Sequence, residues 1–287
     1  MNFSERQTAI RWLSLETGFF TGLWKAFLSV VLWPFYSIYE KHLLAEAATW
    51  SLPRHIGIIM DGNRRFAKLL RASDVSFGHQ RGAAKLREVL RWCQQIDIPV
   101  VTVWALSIDN FRRSKVELDS LLSLLESEAR KLVHHEDVHQ NQIRVRFIGR
   151  LDMLPESLKE AIREVETVTS GYNRFLLNIA VAYSGRDEIT DAFRNYLAKQ
   201  VRRGRTIQEA LDRFDNKVVD RHLYTSGMPE PDLIIRTSGE VRISGFLLWQ
   251  SANSEYYFCD SNWPAFRKID FLRALRSYDE RERRFGK

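Results

Sequence analysis

The chain has 287 residues, with 43 Lys and Arg against 36 Asp and Glu, and a formal net charge of +7. A hydrophobic content of 45% and a charged content of 28% exclude a disordered chain and suit an α/β protein that buries a full core. Two cysteines, Cys93 and Cys259, exclude a disulfide scaffold and suit a reducing, cytoplasmic setting.

From Phe19 to Tyr39 the chain is crowded with aromatic and aliphatic residues, with Trp24 and Trp33 beside Lys25 and Lys41. Its longest uncharged stretch, Ala26 to Tyr39, is shorter than the roughly 20 residues a spanning helix needs. No small-residue cleavage site follows a basic start, so a secretory signal is not expected. Residues 1–50 are read as an N-terminal helical segment, with 19–39 lying in a headgroup layer and placing the protein peripherally on a membrane. The alternative is a leading helix packed on protein.

Past Leu52-Pro53, β-branched runs alternate with helical patterns, and residues 51–287 read as one domain. Strands are predicted at His55–Met60, Val100–Leu106, Ile143–Ile148, Phe175–Ala182, Leu233–Arg236 and Glu255–Phe258. Helices are predicted at Gln80–Gln95, Val116–His134, Pro155–Thr169 and Asp187–Arg203. This alternation implies an α/β fold with a mostly parallel central sheet flanked by helices.

Such sheets carry their chemistry at the carboxyl ends of the strands. The first strand runs into Asp61-Gly62-Asn63-Arg64-Arg65, where a carboxylate suits Mg²⁺ and the backbone N–H groups and arginines suit a phosphate. The bland alternative makes Asp61 a helix cap. The second strand leads to Ser107, Asn110, Phe111 and Arg113. The Leu233–Arg236 strand delivers Arg236, Arg242 and Ser244, and Glu255 begins the last strand. Two arginine clusters and two carboxylates on one rim suit two diphosphates and a divalent ion. The basic excess implies anionic partners, whether nucleic acid, phosphorylated substrates or an anionic membrane surface, and composition does not choose among the three. A separate run, His135-Glu136-Asp137-Val138-His139, fits H-E-x-x-H and keeps a zinc metallohydrolase as a distant alternative.

Met60-Asp61-Gly62-Asn63-Arg64-Arg65, Phe77-Gly78-His79, Ile235-Arg236-Thr237-Ser238-Gly239-Glu240, Phe246-Leu247-Leu248-Trp249-Gln250 and Arg281-Glu282-Arg283-Arg284-Phe285-Gly286 resemble the motifs of the cis-prenyltransferases. These are the undecaprenyl or polyprenyl diphosphate synthases, and the likeness runs in order from about Pro53 onward. The resemblance implies that fold and a transferase that condenses isopentenyl diphosphate onto an allylic diphosphate primer with Mg²⁺. A Z-configured polyprenyl diphosphate forms, and nucleic acid has no part. It implies Asp61 and Glu255 at the metal, with Asp61 and Asn63 as catalytic residues. Gly62, Arg64, Arg65, His79 and Arg113 fall on the allylic diphosphate. Arg236, Arg242, Ser244, Arg284 and Gly286 fall on isopentenyl diphosphate, the last two across a homodimer interface. Ser107, Asn110 and Phe111 match a loop near the reacting carbons. Ala105 and Phe175 match the wall and floor of an apolar tunnel. The chain departs from the family at Arg64, Phe66, Val75, Asp109, Phe111 and Gly245, and Arg64 is a candidate replacement for an arginine frequent at position 75. Accessory subunits of heteromeric enzymes in this superfamily lack the first-motif aspartate. Asp61 is present here, which favours a self-sufficient enzyme over that alternative.

Overall fold

The computed structural model describes residues 36, 38–72 and 74–281. The chain divides into two units, residues 1–46 and 47–287. In the first, the described backbone is helical over 38–46. The expected surface segment lies mostly outside the described residues, since 1–35 and 37 are not among them. Among the described residues no helix is long and apolar enough to cross a membrane.

The second unit is built on β1 (His55–Ile59), β2 (Val100–Trp104), β3 (Ile143–Ile148), β4 (Phe175–Ala180), β5 (Leu233–Arg236) and β6 (Glu255–Phe258). They form a six-stranded sheet in the order β3-β4-β2-β1-β5-β6. Every pair is parallel. β1 is buried along its whole length, as a central parallel strand covered on both faces must be. From β1 the chain builds outward through β2 to the β3 edge, then returns to add β5 on the other side. The strand order therefore reverses at β1, and a crevice opens above its carboxyl end between β2 and β5.

The helices of this unit are α1 (Asn63–Leu69), α2 (Ser76–Gln95), α3 (Lys115–His134), α4 (Glu136–Gln140), α5 (Glu156–Val168), α6 (Gly185–Arg202), α7 (Ile207–Leu211), α8 (Asn216–Asp220) and α9 (Lys268–Asp279). Because α2 links the top of β1 to the start of the parallel β2, it runs down the sheet. α3 runs the same way between β2 and β3. These two 20-residue helices stand side by side over the β3/β4 half. α2 starts at Ser76, four residues before the predicted Gln80, where the Asp74 carboxylate accepts the Ser76 N–H at 3.1 Å in a local turn leading into the helix. β1 ends at Ile59 rather than Met60, where the Asp61 N–H turns back to the Ile59 carbonyl at 2.9 Å. β2 and β4 likewise end two residues before their predicted limits. The short helices α4, α7 and α8, and the largely buried α9, were not expected from the pattern.

Candidate active site

The crevice above β1 is walled by the first turn of α1. Gly62 caps that helix at φ 103, and a side chain there would run into Asn262 and Ser238. Asp61 Oδ1 accepts the Gly62 N–H at 3.0 Å, and Oδ2 accepts Arg236 Nη2 at 2.8 Å. The Asp61 side chain is 42% exposed whereas that of Arg236 is 5% exposed, so the carboxylate faces the crevice over a buried guanidinium. Arg236 also donates to Ser244 Oγ at 2.9 Å and to the Arg242 carbonyl. Arg65 donates to Ser238 O at 2.8 Å and to Glu240.

Asp61, Gly62, Asn63, Arg64, Arg65 and His79 line one cavity of about 440 Å³. Ala105, Ser107, Asn110, Arg113, Arg236 and Ser244 also line it. Among the described residues four polar atoms of this lining are buried without a partner: Asn63 Oδ1, His79 Nε2, Trp104 Nε1 and Arg236 Nε. Unsatisfied buried groups are costly, and four converging on one cavity mark a ligand site. Burial, with Arg113 and Arg64 nearby, pulls the His79 imidazole down to about 4, so it is neutral at physiological pH and has its Nε2 free for the ligand.

Two glutamates that the sequence reading left out organise the arginines. Glu117 accepts Arg113 at 2.8 Å and stands 3.6 Å from Arg64. Glu240 accepts Arg65 and lies 2.9 Å from Arg242; the Arg65 hydrogen bond and the Arg242 charge hold its carboxyl below the usual range. The i,i+4 spacing of Arg113 and Glu117 was a readable signal for the first of these. Each carboxylate holds a pair of cations ready for a multiply charged anion.

Some predicted residues lie elsewhere. Arg242 stands at the rim, 64% exposed, joined to the cavity through its carbonyl. Phe111 sits in the 3-10 turn Ile108–Arg112, off the lining. Glu255 does not join Asp61 within this chain. It opens a strand parallel to β5, level with Leu233 rather than Arg236, so it lies about 10 Å down the sheet at the amino end. There it pairs with Arg281. Arg284 and Gly286 lie outside the described residues.

A second cavity, of about 1110 Å³, continues from the first between α2, α3 and the β3/β4 face. Met60, Asn63, His79, Ala105 and Leu121 line both. Leu86, Leu90, Leu124, Leu125, Leu177 and Ile179 make most of the rest apolar. Ala105 thus stands in the wall where it was expected. Phe175 is not among the lining residues: it is on the same strand face, one step below the lining Leu177, and is buried at 4% exposure.

The zinc alternative fails on geometry. The helix breaks at His135, which is extended at φ −75 and ψ 120, so the two histidines do not share a helical face. Both ring nitrogens of His139 are engaged, Nε2 donating to Val133 O and Nδ1 paired with Tyr172 Oη, each at 2.8 Å. Cys93 and Cys259 are both buried free thiols.

Residues 59–286 match the family described as "Putative undecaprenyl diphosphate synthase". The chain is 50% identical over 252 residues to a tritrans,polycis-undecaprenyl-diphosphate synthase (geranylgeranyl-diphosphate specific) of Methanocaldococcus jannaschii, covering 87% of this chain and 88% of the relative. It is 48% identical over 253 residues to a (2Z,6E)-farnesyl diphosphate synthase of Thermobifida fusca, covering 88% and 97%. Among solved structures it is similar to lavandulyl diphosphate synthase from Lavandula x intermedia in complex with dimethylallyl diphosphate. The TM-score there is 0.74 at 37% identity, covering 82% of this chain and 99% of that one. With a polar cavity for anions opening into a long apolar one, and likeness along most of its length, the chain belongs to the undecaprenyl diphosphate synthase family and is a cis-prenyltransferase.

Proposed function

We propose that the enzyme condenses isopentenyl diphosphate onto an allylic diphosphate, releasing diphosphate and extending a Z-configured polyprenyl chain. The observation that carries this is the shared lining of the two cavities: an allylic diphosphate held among Arg64, Arg65 and Arg113 sends its hydrocarbon past Ala105 and Leu121 into the apolar chamber. Gly62, Arg64, Arg65, His79 and Arg113 hold the allylic diphosphate, while Arg236, Arg242 and Ser244 hold isopentenyl diphosphate. The arginines take up charge as the allylic C–O bond breaks. Asn63 Oδ1, neutral and unpartnered, takes the hydrogen bond of the departing proton's path without quenching an allylic cation. The dry wall beyond keeps water from that cation.

Asp61 fits Mg²⁺. It presents a half-exposed carboxylate beside an anion cavity, and this ion is commonly held by one or two carboxylates with substrate phosphates and water. Bound there, Mg²⁺ would supply charge neutralisation for the leaving diphosphate. Glu255 and Arg281 pair at the far end of β6. This supports a homodimer in which Glu255, Arg284 and Gly286 serve the site of a second copy. The catalytic unit of this proposal runs from about residue 51 and is preceded by a membrane-surface segment.

Purified enzyme with Mg²⁺, labelled isopentenyl diphosphate and geranyl, farnesyl or geranylgeranyl primers should yield Z-prenyl products without a second polypeptide. Asp61→Ala should lower turnover by about 10³-fold. Wild-type protein that consumes isopentenyl diphosphate only with another chain present would refute the self-sufficient reading.

A further inference from the structure

We infer that chain growth is stopped by a polar pair at the far end of the apolar chamber, Gln94 on α2 and His135 after α3, rather than by bulk alone. The inference rests on the prenyl-transfer reading and adds a determinant of product length to it.

The lining of the large cavity continues down the helix faces into a small cavity of about 30 Å³. The two share Arg87, Leu90, Leu132, His135 and Leu177. Gln94 lies 15 residues beyond His79 on one continuous helix, about 22 Å from the headgroup end. Leu90, Leu132 and Leu177 form the apolar side of the collar between the chambers, with His135 at its edge and Gln94 below it. Gln94 Nε2 and His135 Nδ1 both belong to residues lining the small cavity, and both atoms are buried with no hydrogen-bond partner. They are the polar atoms of the chamber's distal end that lack partners, as Asn63 Oδ1 and His79 Nε2 are at its head.

A space of this size with two unpaired polar atoms suits one ordered water, which needs two or more partners and about one water molecule's room. A growing chain that reaches the collar must then expel that water and lay hydrocarbon against an amide N–H and an imidazole. The hydrophobic gain per added methylene is offset by leaving those groups unpaired. Each unpaired group slows further extension by about tenfold, so growth ends at the collar although the walls could yield.

Gln94→Met keeps the length and unbranched shape of the side chain and removes its polarity. The expected result is a shift of the longest product by one or more isoprene units, with the fraction beyond the wild-type limit rising about tenfold. The first condensation should proceed at the wild-type rate. His135→Leu should shift products the same way, and Gln94→His, which keeps a polar group, should not. Thermal unfolding of each variant identifies any that fails to fold, and the two apolar substitutions at separate positions provide for that outcome. Products of wild-type length from folded, condensing Gln94→Met and His135→Leu would overturn the polar stop. No prenyl product from the wild-type enzyme would instead overturn the reading on which it rests.

Discussion

At Gly82 the absence of a side chain sets the position of the Asn63 amide. A Cβ built there overlaps Asn63 Oδ1 and comes within 3.0 Å of Trp263 Cδ1. The Trp263 ring is fixed, fully buried with Nε1 donating to the Gly82 carbonyl at 2.9 Å, so the amide has to give way. Gly82→Ala improves helix propensity by about 1 kcal/mol, and the fold should tolerate it. It should still lower kcat by about 10²-fold by turning Asn63 away, with little change in Tm. Steady-state kinetics beside a thermal melt would separate these effects; unchanged kcat would show that Asn63 has no part in the chemistry. Arg236 makes the complementary case, where a buried cation is satisfied by Asp61, Ser244 and a carbonyl and keeps one N–H unpaired. Lysine cannot supply that fork, so Arg236→Lys should behave as a loss of function.

Among the elements, β1 is tied to its neighbours by a buried relay as well as by the ladder. His55 Nδ1 donates to the Pro229 carbonyl at 2.8 Å, which leaves Nε2 to accept from Thr102 Oγ1 at 2.7 Å. Thr102 in turn accepts Asn178 Nδ2 at 3.1 Å, linking β1, β2 and β4. Burial lowers the His55 imidazole to about 4 from its ordinary 6.5. The unfolded chain therefore binds the extra proton between pH 6.5 and 4. Stability from this group is complete above the upper value and is lost as pH falls toward the lower one, by about 3 kcal/mol. His79 acts in the same sense. Denaturant midpoints at pH 4.5 and 7 should show His55→Gln with a shallower acid loss than wild type; equal slopes would remove His55 as the cause. The strands were largely legible because β-branched runs such as Val100–Trp104 have no helical reading. α9 was missed because its apolar residues, from Ile269 to Tyr278, surround most of the helix rather than one stripe. Glu255 was misplaced for a different reason. Its position in the sequence is at a strand end, but only strand direction tells which rim that end belongs to, and the pairing of β6 with β5 is a tertiary fact.

For the whole molecule, the distance between Glu255 and the Asp61 crevice becomes a statement about assembly. If the C-terminal residues serve a second copy, a mixture of Asp61→Ala with a chain truncated before Arg284 should recover activity. Half the dimers are mixed and one of their two sites is intact, so about a quarter of wild-type turnover is expected. No recovery in a mixture shown to contain mixed dimers would mean that each site is built from one chain. Product release sets a second expectation. Each buried methylene adds about 0.8 kcal/mol, so long products leave slowly unless a bilayer receives them. Liposomes should stimulate the full chain and fail to stimulate one lacking residues 1–46; equal stimulation of both would locate the membrane contact elsewhere.

Among the described residues the two cavities meet at five, Met60, Asn63, His79, Ala105 and Leu121. That narrow seam makes the enzyme modular under mutation. Changes beyond the seam, at positions such as Leu86, Leu90, Leu124 and Leu177, can alter how much hydrocarbon is accepted without touching a diphosphate ligand, and so can accumulate without an inactive intermediate. Divergence in product can therefore proceed by single steps, each visible to selection. The arginine clamp and Asp61 stay under a separate, stricter constraint.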